Sequence, residues 1–209
     1  MKAYQDASLA PVRRAKALLE EMTLAEKIGQ LNQRLYGFRI YERKCVNGED
    51  TIELSEEFCQ EVEKYSGLGV LYGLYRADPW ADKDYETGLT GVLSKKAYNQ
   101  VQRYVLEHSR LGIPVMMSSE CPHGHQALDG YLLPVNLLAG ATFDPAMVRA
   151  AYRVSGRQLQ NMGVDFALMS MLDVLRDPRW GRSEECYSED PYLSARMAEA
   201  AVIGMQESG

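Results

Sequence analysis

Three short apolar runs lie in the last two thirds of the chain, at residues 69–74, 113–117 and 164–169. Each has the length of a strand, and none alternates regularly between apolar and polar positions. Runs of this kind are typical of parallel strands that are covered on both faces. The pattern therefore predicts three buried parallel strands.

Segments with helical spacing lie between and after these runs. Ser94, Asp144 and Asp190 are predicted N-caps, and a proline directly follows each of the two aspartates. Apolar residues three and four positions apart follow each cap, as on the buried face of a helix. Gly112 and Gly163 are predicted to lie just past the ends of the first two helices.

The first third of the chain has a different pattern. Helices are predicted at residues 12–22, after Pro11, and at 23–31, where Thr23 is the N-cap and Glu26 completes a capping box. Residues 37–66 show no clear period. We predict a loop-rich insertion there, with a helix near residues 55–65.

Alternating strands and helices define an α/β fold, either an open doubly wound sheet or a (β/α)8 barrel. A complete barrel usually needs about 250 residues, so three βα units predict an incomplete one. We predict a single domain over residues 1–209, with the N-terminal helices and loop in 1–66 and the βα units in 67–209. Both folds bind ligands beyond the C-terminal ends of the strands.

Composition and charge narrow the function. The net charge of −6 disfavours nucleic acid and anionic membranes as partners. With no apolar run long enough to span a bilayer and no secretory core at the N-terminus, a cytoplasmic location is predicted. The four cysteines are far apart and predicted to be free thiols. No glycine-rich nucleotide motif follows a strand, so no cofactor is predicted.

The loop after the first predicted strand, "YRADPWADKDYETG", combines an aromatic side chain with charged ones. Arg76, Asp78 and Trp80 could present an aromatic surface and hydrogen-bonding groups to a sugar ring. The alternative is a solvated loop in which Trp80 is anchored in the core.

The loop after the second predicted strand, "SSECPHGHQALDG", has a carboxylate as its third residue. Glu120 lies just beyond the apolar run, so it is expected at the mouth of the strands, where it could accept hydrogen bonds from two vicinal hydroxyls. One alternative is a metal site that adds Cys121, His123 and His125, for which the spacing is poor. In another, His123 or His125 bonds backbone carbonyls in a turn at Gly124.

The loop after the third predicted strand, "DVLRDPRWGR", occupies residues 173–182. A structural interpretation has an arginine stacked on Trp180 and an ion pair from Asp173 or Asp177. A functional interpretation has Glu184 or Glu185 hold one guanidinium as a rigid fork of donors for a polyhydroxylated ligand. The two interpretations are compatible.

With these loops in view, the chain resembles the N-terminal domain of glycoside hydrolase family 3. The likeness rests on "RAKALLEEMTLAEKIGQL", "RLGIPVMMSSECPHGH", "GATFDPAMV" and "DVLRDPRWGRSEECYSEDPYL", in that order. The resemblance implies the N-terminal part of a (β/α)8 barrel. It also implies a retaining, exo-acting β-glycosidase that acts on β-glucosides or β-xylosides.

The resemblance also implies roles for individual residues. Glu120 matches the family position that binds distal hydroxyls of the terminal sugar, and Arg182 matches the sugar-binding arginine of the −1 subsite. The segment "GYLLPVN" departs from the family's Gly-Thr-Thr-x-Phe-Pro. The full predicted substrate-binding set is Glu120, Arg182, Arg76, Asp78, Trp80 and His123.

The family's nucleophile, acid/base and Lys-His pair have no match here and are expected beyond Gly209, so no catalytic or metal-binding residue is predicted in this chain. The chain alone is therefore expected to be inactive. Its predicted partners are a carbohydrate and either the rest of the barrel or a second copy. Two other hypotheses are a non-catalytic module that binds sugar or self-associates, and a metal-dependent hydrolase using Glu120, His123 and His125.

Overall fold

A computed structural model describes residues 2–169 and 171–207 of the chain. Within them, a three-stranded parallel sheet packs against helices, and a separate two-stranded antiparallel hairpin lies near the N-terminus. The helices are α1 Pro11–Glu21, α2 Leu24–Gln30, α3 Glu56–Tyr65, α4 Gly91–Glu107, α5 Asn136–Gly140, α6 Pro145–Asn161 and α7 Pro191–Gln206. The strands are β1 Tyr41–Val46, β2 Glu49–Leu54, β3 Val70–Tyr72, β4 Met116–Cys121 and β5 Phe166–Met169.

The parallel sheet confirms the α/β prediction. Its strand order is β3-β4-β5, and Ser118 of β4 lies opposite both Tyr72 of β3 and Phe166 of β5. On the helix-covered face, Leu71 and Met117 are fully buried in a core that also contains residues of α3 and α4. In the described part of the chain no strand pairs with the outer edge of β5. The sheet within the described residues is open, as expected of part of a barrel.

The predicted helix caps at Thr23, Asp144 and Asp190 are confirmed. Thr23 Oγ1 accepts from Glu26 N at 3.3 Å, and Glu26 Oε2 accepts from Thr23 N at 2.8 Å. Arg110 closes the same site with two hydrogen bonds to the Glu26 carboxylate. The Arg110 hydrogen bond is the main reason that the pKa of Glu26 falls to about 2, and the pair ties α2 to the loop before β4.

The prediction of a loop-rich segment at residues 37–66 is wrong in its first half. Residues 41–54 form the antiparallel hairpin β1–β2, in which Tyr41 lies opposite Leu54. Asn47 and Gly48 form its turn with φ of 55° and 81°, as a two-residue Asn-Gly turn requires. That dipeptide was the available signal. The predicted helix near residues 55–65 is confirmed as α3, with Ser55 as its N-cap.

The prediction that Ser94 caps a helix is also wrong. Helix α4 begins three residues earlier, at Gly91, and Ser94 is buried inside it. The Asp129 carboxylate, from a distant loop, accepts a 2.5 Å hydrogen bond from Gly91 N. This contact satisfies a donor at the helix start that would otherwise need a local cap. No local pattern could have indicated it.

The second predicted strand lies too early in the chain. Strand β4 covers Met116–Cys121 rather than residues 113–117, so Glu120 lies inside the strand and not beyond it. The polar end of β4 remains extended because Ser118 and Ser119 have side-chain partners: Gln33 donates to Ser118 at 3.0 Å, and Ser119 bonds His125 at 2.9 Å. Hydrophobicity alone underestimates a strand whose polar residues are satisfied in this way.

The remaining general predictions concern cysteines and membrane helices. All four cysteines are unpaired, as predicted, and Cys121 and Cys186 are buried. Among the residues that the structure describes, none of the helices combines the length and the hydrophobicity needed to cross a bilayer.

Candidate functional site

The C-terminal edge of the parallel sheet carries the polar residues expected to bind a ligand. Side chains alternate between the faces of a strand, so Ser118 and Glu120 share one face of β4, while Ser119 and Cys121 occupy the helix-covered face. Tyr72 lies opposite Ser118 and joins Glu120 on the first face. The Glu120 side chain is 23% exposed, so one ionisable group stands partly open at this edge.

Two side chains from the β3 end of the sheet hold one oxygen of Glu120. The Tyr72 hydroxyl donates to Oε1 at 2.5 Å, and Arg76 Nη1 donates to the same oxygen at 3.3 Å. Arg76 Nη1 also contacts the Tyr72 hydroxyl. Burial and then the neighbouring Glu120 carboxylate raise the pKa of Tyr72, so the phenol is a donor at neutral pH.

Asp78 and Trp80 hold the Arg76 side chain in place. Nε and Nη2 lie 2.7 Å from Asp78 Oδ2, and the guanidinium carbon lies 4.4 Å from the centre of the Trp80 ring. Burial alone would lower the pKa of Arg76, but the Asp78 hydrogen bond and the charges of Asp78 and Glu120 raise it. Arg76 is therefore a fixed cation with most of its donors engaged.

Trp80 combines features of both sequence interpretations. Its ring meets Tyr36 and Phe38 edge-on, with centroids 5.1 and 5.2 Å away, yet the residue is 49% exposed. Arg76 covers part of one face of the indole. Any sugar that stacks on Trp80 must use the remaining exposed surface.

The two histidines of the second loop occupy different environments. His125 is fully buried, its Nε2 lies 2.9 Å from Ser119 Oγ, and burial lowers its pKa to about 4. His123 has a buried Nδ1 with no hydrogen-bond partner among the described residues. Neither ring bonds a backbone carbonyl of the Gly124 turn within the described chain, so that interpretation is wrong. Gly124 itself has a φ of +91°, which favours glycine.

The third loop holds Arg182 by ion pairing. Arg182 Nε and Nη2 lie 2.7 and 2.6 Å from the two oxygens of Glu185. This pair is the main cause of the raised pKa of Arg182, to which the charges of Glu120 and Asp173 also contribute. The charge of Glu120 thus acts on Arg182, although Glu120 lies on β4 and Arg182 lies in the loop after β5.

Buried contacts fix the backbone of Glu185, the residue whose carboxylate holds Arg182. Asn136, at the start of α5, donates to the Glu185 carbonyl at 2.8 Å and accepts from the Tyr152 hydroxyl at 3.0 Å. Asp177 forms a second ion pair in the loop, with Arg179. The predicted pairing of one guanidinium with Glu184 or Glu185 is confirmed. The prediction that an arginine stacks on Trp180 is wrong. Among the described residues, the tryptophan ring covered by an arginine is that of Trp80.

Taken together, the structure joins Glu120, Arg76, Asp78 and Trp80 in one contact network and brings Arg182 within electrostatic range of it. Among the described residues, the His123 side chain makes no hydrogen bond or ion pair with that network. Sequence reasoning missed Tyr72 and Asn136. Tyr72 lies within an apolar run, so only the strand register reveals that it shares a face of the sheet with Glu120.

The alternative metal site meets a geometric obstacle. Glu120 and Cys121 are consecutive residues of β4 and point to opposite faces, so they cannot ligate one ion. Burial raises the pKa of the Cys121 thiol to about 12, far from a thiolate ligand. The described parts of the chain hold no group of three or more His, Cys, Asp or Glu side chains arranged for a metal.

Parallel strands that alternate with helices, with a charged site at their C-terminal edge, define an α/β protein. The protein-family model described as "Glycosyl hydrolase family 3 N terminal domain" matches residues 23–209 of the sequence. The chain belongs to glycosyl hydrolase family 3.

Individual relatives agree with this assignment. A solved β-glucosidase from Erythrobacter marinus has a TM-score of 0.74 at 30% identity, over 98% of this chain and 24% of that one. A protein named periplasmic β-glucosidase, from Salmonella typhimurium, is 30% identical over 90% of this chain and 20% of its own length. A β-xylosidase from Formosa agariphila is 32% identical over 64% of this chain and 19% of its own length. The chain thus spans about a quarter or less of these relatives.

Proposed function

We propose that this chain provides sugar-binding residues of the −1 subsite in a retaining, exo-acting β-glycosidase that acts on β-glucosides or β-xylosides. The observation that supports this most directly is the convergence of charges at the sheet edge. Glu120 stands partly open on β4, and its charge contributes to the raised pKa of Arg182, which two hydrogen bonds to Glu185 hold in place. Relatives named β-glucosidase and β-xylosidase match the same stretch of sequence.

The two residue types suit a polyhydroxylated ligand. An ionised carboxylate accepts hydrogen bonds from sugar hydroxyls, and such charge-assisted bonds are about twice as strong as neutral ones. A guanidinium held in a bidentate ion pair keeps further N–H donors in a fixed orientation. Glu120 and Arg182 would thus bind different hydroxyls of one ring.

The bond-breaking groups are not assigned within this chain. A retaining glycosidase needs a carboxylate nucleophile and an acid/base about 5 to 5.5 Å apart. Two acidic side chains whose charges act on Arg182 are already engaged: Glu120 by Tyr72 and Arg76, and Glu185 by Arg182 itself. The contribution proposed for this chain is sugar recognition.

Replacing each proposed contact in the natural protein that contains this chain tests the function. Glu120→Ala and Arg182→Ala should each lower kcat/KM on aryl β-glucosides or β-xylosides by about 100-fold, the usual scale for a lost charged contact to substrate. The matched control is Arg179→Ala. That arginine lies in the same loop and pairs with Asp177, but its side chain is 89% exposed.

The two outcomes are distinguishable. The proposal requires large losses in the first two variants, a near-normal rate in Arg179→Ala, and unchanged circular dichroism in all three. Equal losses in Arg179→Ala and Arg182→Ala would indicate a general loop effect. Full activity of Glu120→Ala would remove the proposed sugar contact.

A further inference from the structure

Tyr72 is the residue of this site whose role neither the sequence motifs nor the relatives assign. It ends β3, lies directly opposite Ser118, and reaches Glu120 two residues further along β4. Neighbouring strands lie about 4.8 Å apart and two residues of a strand span about 6.6 Å, so the backbone positions of Tyr72 and Glu120 are roughly 8 Å apart along the diagonal. Only long side chains close that diagonal, as tyrosine and glutamate do here.

The hydrogen bonds on Glu120 are unevenly distributed. Oε1 accepts from both the Tyr72 hydroxyl and Arg76 Nη1, which occupies the usual capacity of a carboxylate oxygen. Oε2 accepts no hydrogen bond from any described residue. Since the side chain is partly exposed, Oε2 is the oxygen left for a ligand.

Tyr72 is itself held in place. Its ring packs edge-on against Tyr36, with centroids 6.0 Å apart, and the Arg76 guanidinium lies 5.8 Å from its centre. Residue 36 also pairs with residue 72 through a parallel backbone bridge. A hydroxyl fixed in this way can orient a carboxylate without touching the ligand.

We propose that Tyr72 is a positioning residue for sugar recognition: with Arg76 it fixes Oε1 of Glu120, so that Oε2 alone accepts the hydrogen bond from a sugar hydroxyl. This inference rests on the proposed function. A preoriented carboxylate binds more tightly because it loses less rotamer freedom when the sugar arrives.

Tyr72→Phe tests the role with minimal change, since the ring and its packing remain. In the natural protein that contains this chain, KM for an aryl β-glycoside should rise about 10-fold while kcat stays within about threefold, as expected when ground-state and transition-state binding weaken equally. Tyr75→Phe is the matched control. Its hydroxyl is also hydrogen-bonded, to the Met162 carbonyl at 2.7 Å, away from Glu120.

A mutant cycle separates positioning from direct contact. If Tyr72 acts through Glu120, then adding Tyr72→Phe to Glu120→Ala should cause no further loss, because the group that it orients is absent. Additive losses, or equal effects of Tyr72→Phe and Tyr75→Phe, would overturn the inference while leaving the proposed function intact.

A spectroscopic measurement checks the contact without turnover. With ring-Cζ carbon-13 tyrosine labelling at neutral pH, Tyr72→Phe identifies the Tyr72 signal, and Glu120→Ala should shift that signal but not the Tyr75 signal. An unmoved Tyr72 signal would show that the contact does not form. A wild-type protein that neither binds nor hydrolyses aryl β-glycosides would instead overturn the proposed function, and this inference with it.

Discussion

Ser119 and Glu120 are neighbours on β4 and serve opposite faces of one sheet. Glu120 faces the open site, whereas Ser119 is fully buried and bonds His125 from the helix-covered face. His125 Nδ1 has no partner among the described residues. A protonated ring there would be a buried charge without a counter-ion, which is why burial lowers its pKa.

The buried His125 should make stability fall in mild acid. Its pKa is about 4 in the folded chain and about 6.5 when unfolded, so the unfolded state takes up the proton first as pH falls. The contribution is complete above about pH 6.5 and is lost progressively towards pH 4. Between pH 7 and 5 it should cost about 2 kcal/mol of unfolding free energy, measurable by urea unfolding.

His125→Gln should remove this part of the pH dependence, whatever it does to stability at pH 7. His108→Gln is the control, since His108 is exposed and directly follows the C-terminal end of α4. If wild type and His125→Gln lost stability equally between pH 7 and 5, the buried neutral histidine would not be the cause.

At the scale of elements, α6 and α7 show what short patterns can and cannot predict. Asp144 and Asp190 cap them as expected, each with proline at the first helical position. The tight contact between the two helices has no local signature. A Cβ built on Gly204 of α7 would lie 2.3 Å from the carbonyl oxygen of Arg149 in α6.

Gly204→Ala should therefore destabilise the chain. In an unpacked helix this change is stabilising by about 1 kcal/mol, but here the helices must separate, at a cost of about 1–3 kcal/mol. The control is Gly181→Ala, where a built Cβ would meet no atom within 4 Å. Thermal unfolding of both variants gives the sign of each stability change. A higher unfolding midpoint for Gly204→Ala than for the wild type would refute the close contact between α6 and α7.

At the scale of the whole molecule, the sheet ends at β5 in the described part of the chain. Phe166 of β5 is 58% exposed, and Leu172 and Met116 are also exposed on or near the sheet. An unpaired strand edge next to apolar side chains favours association with another chain. This agrees with the expectation that the rest of a barrel or a second copy covers it.

The 209-residue polypeptide expressed alone should consequently self-associate. Light scattering should give an average mass at least twice the 23.5 kDa of one chain, and Phe166→Lys should reduce it. Leu24→Lys is the control, because Leu24 is even more exposed, at 75%, and its helix α2 contacts the β3 side of the sheet, opposite β5, through the Gly29–Gly69 hydrogen bond. A stable monomer would contradict the prediction.

Some broader expectations remain predictions. These are the single-domain boundaries, the cytoplasmic location and the direct sugar contacts of the six selected residues. The structure joins four of those six, Glu120, Arg76, Asp78 and Trp80, in one network.

The sequence by itself determined the alternation of strands and helices, the caps at Thr23, Asp144 and Asp190, and the identity of the loops that carry charge. These features depend on neighbours within one or two turns of chain, so the local pattern contains them. Tertiary structure decided the start of α4, which Asp129 caps from afar, and the contact of Tyr72 with Glu120. Strand register and side-chain alternation determine which distant residues meet, and a one-residue shift reverses every face.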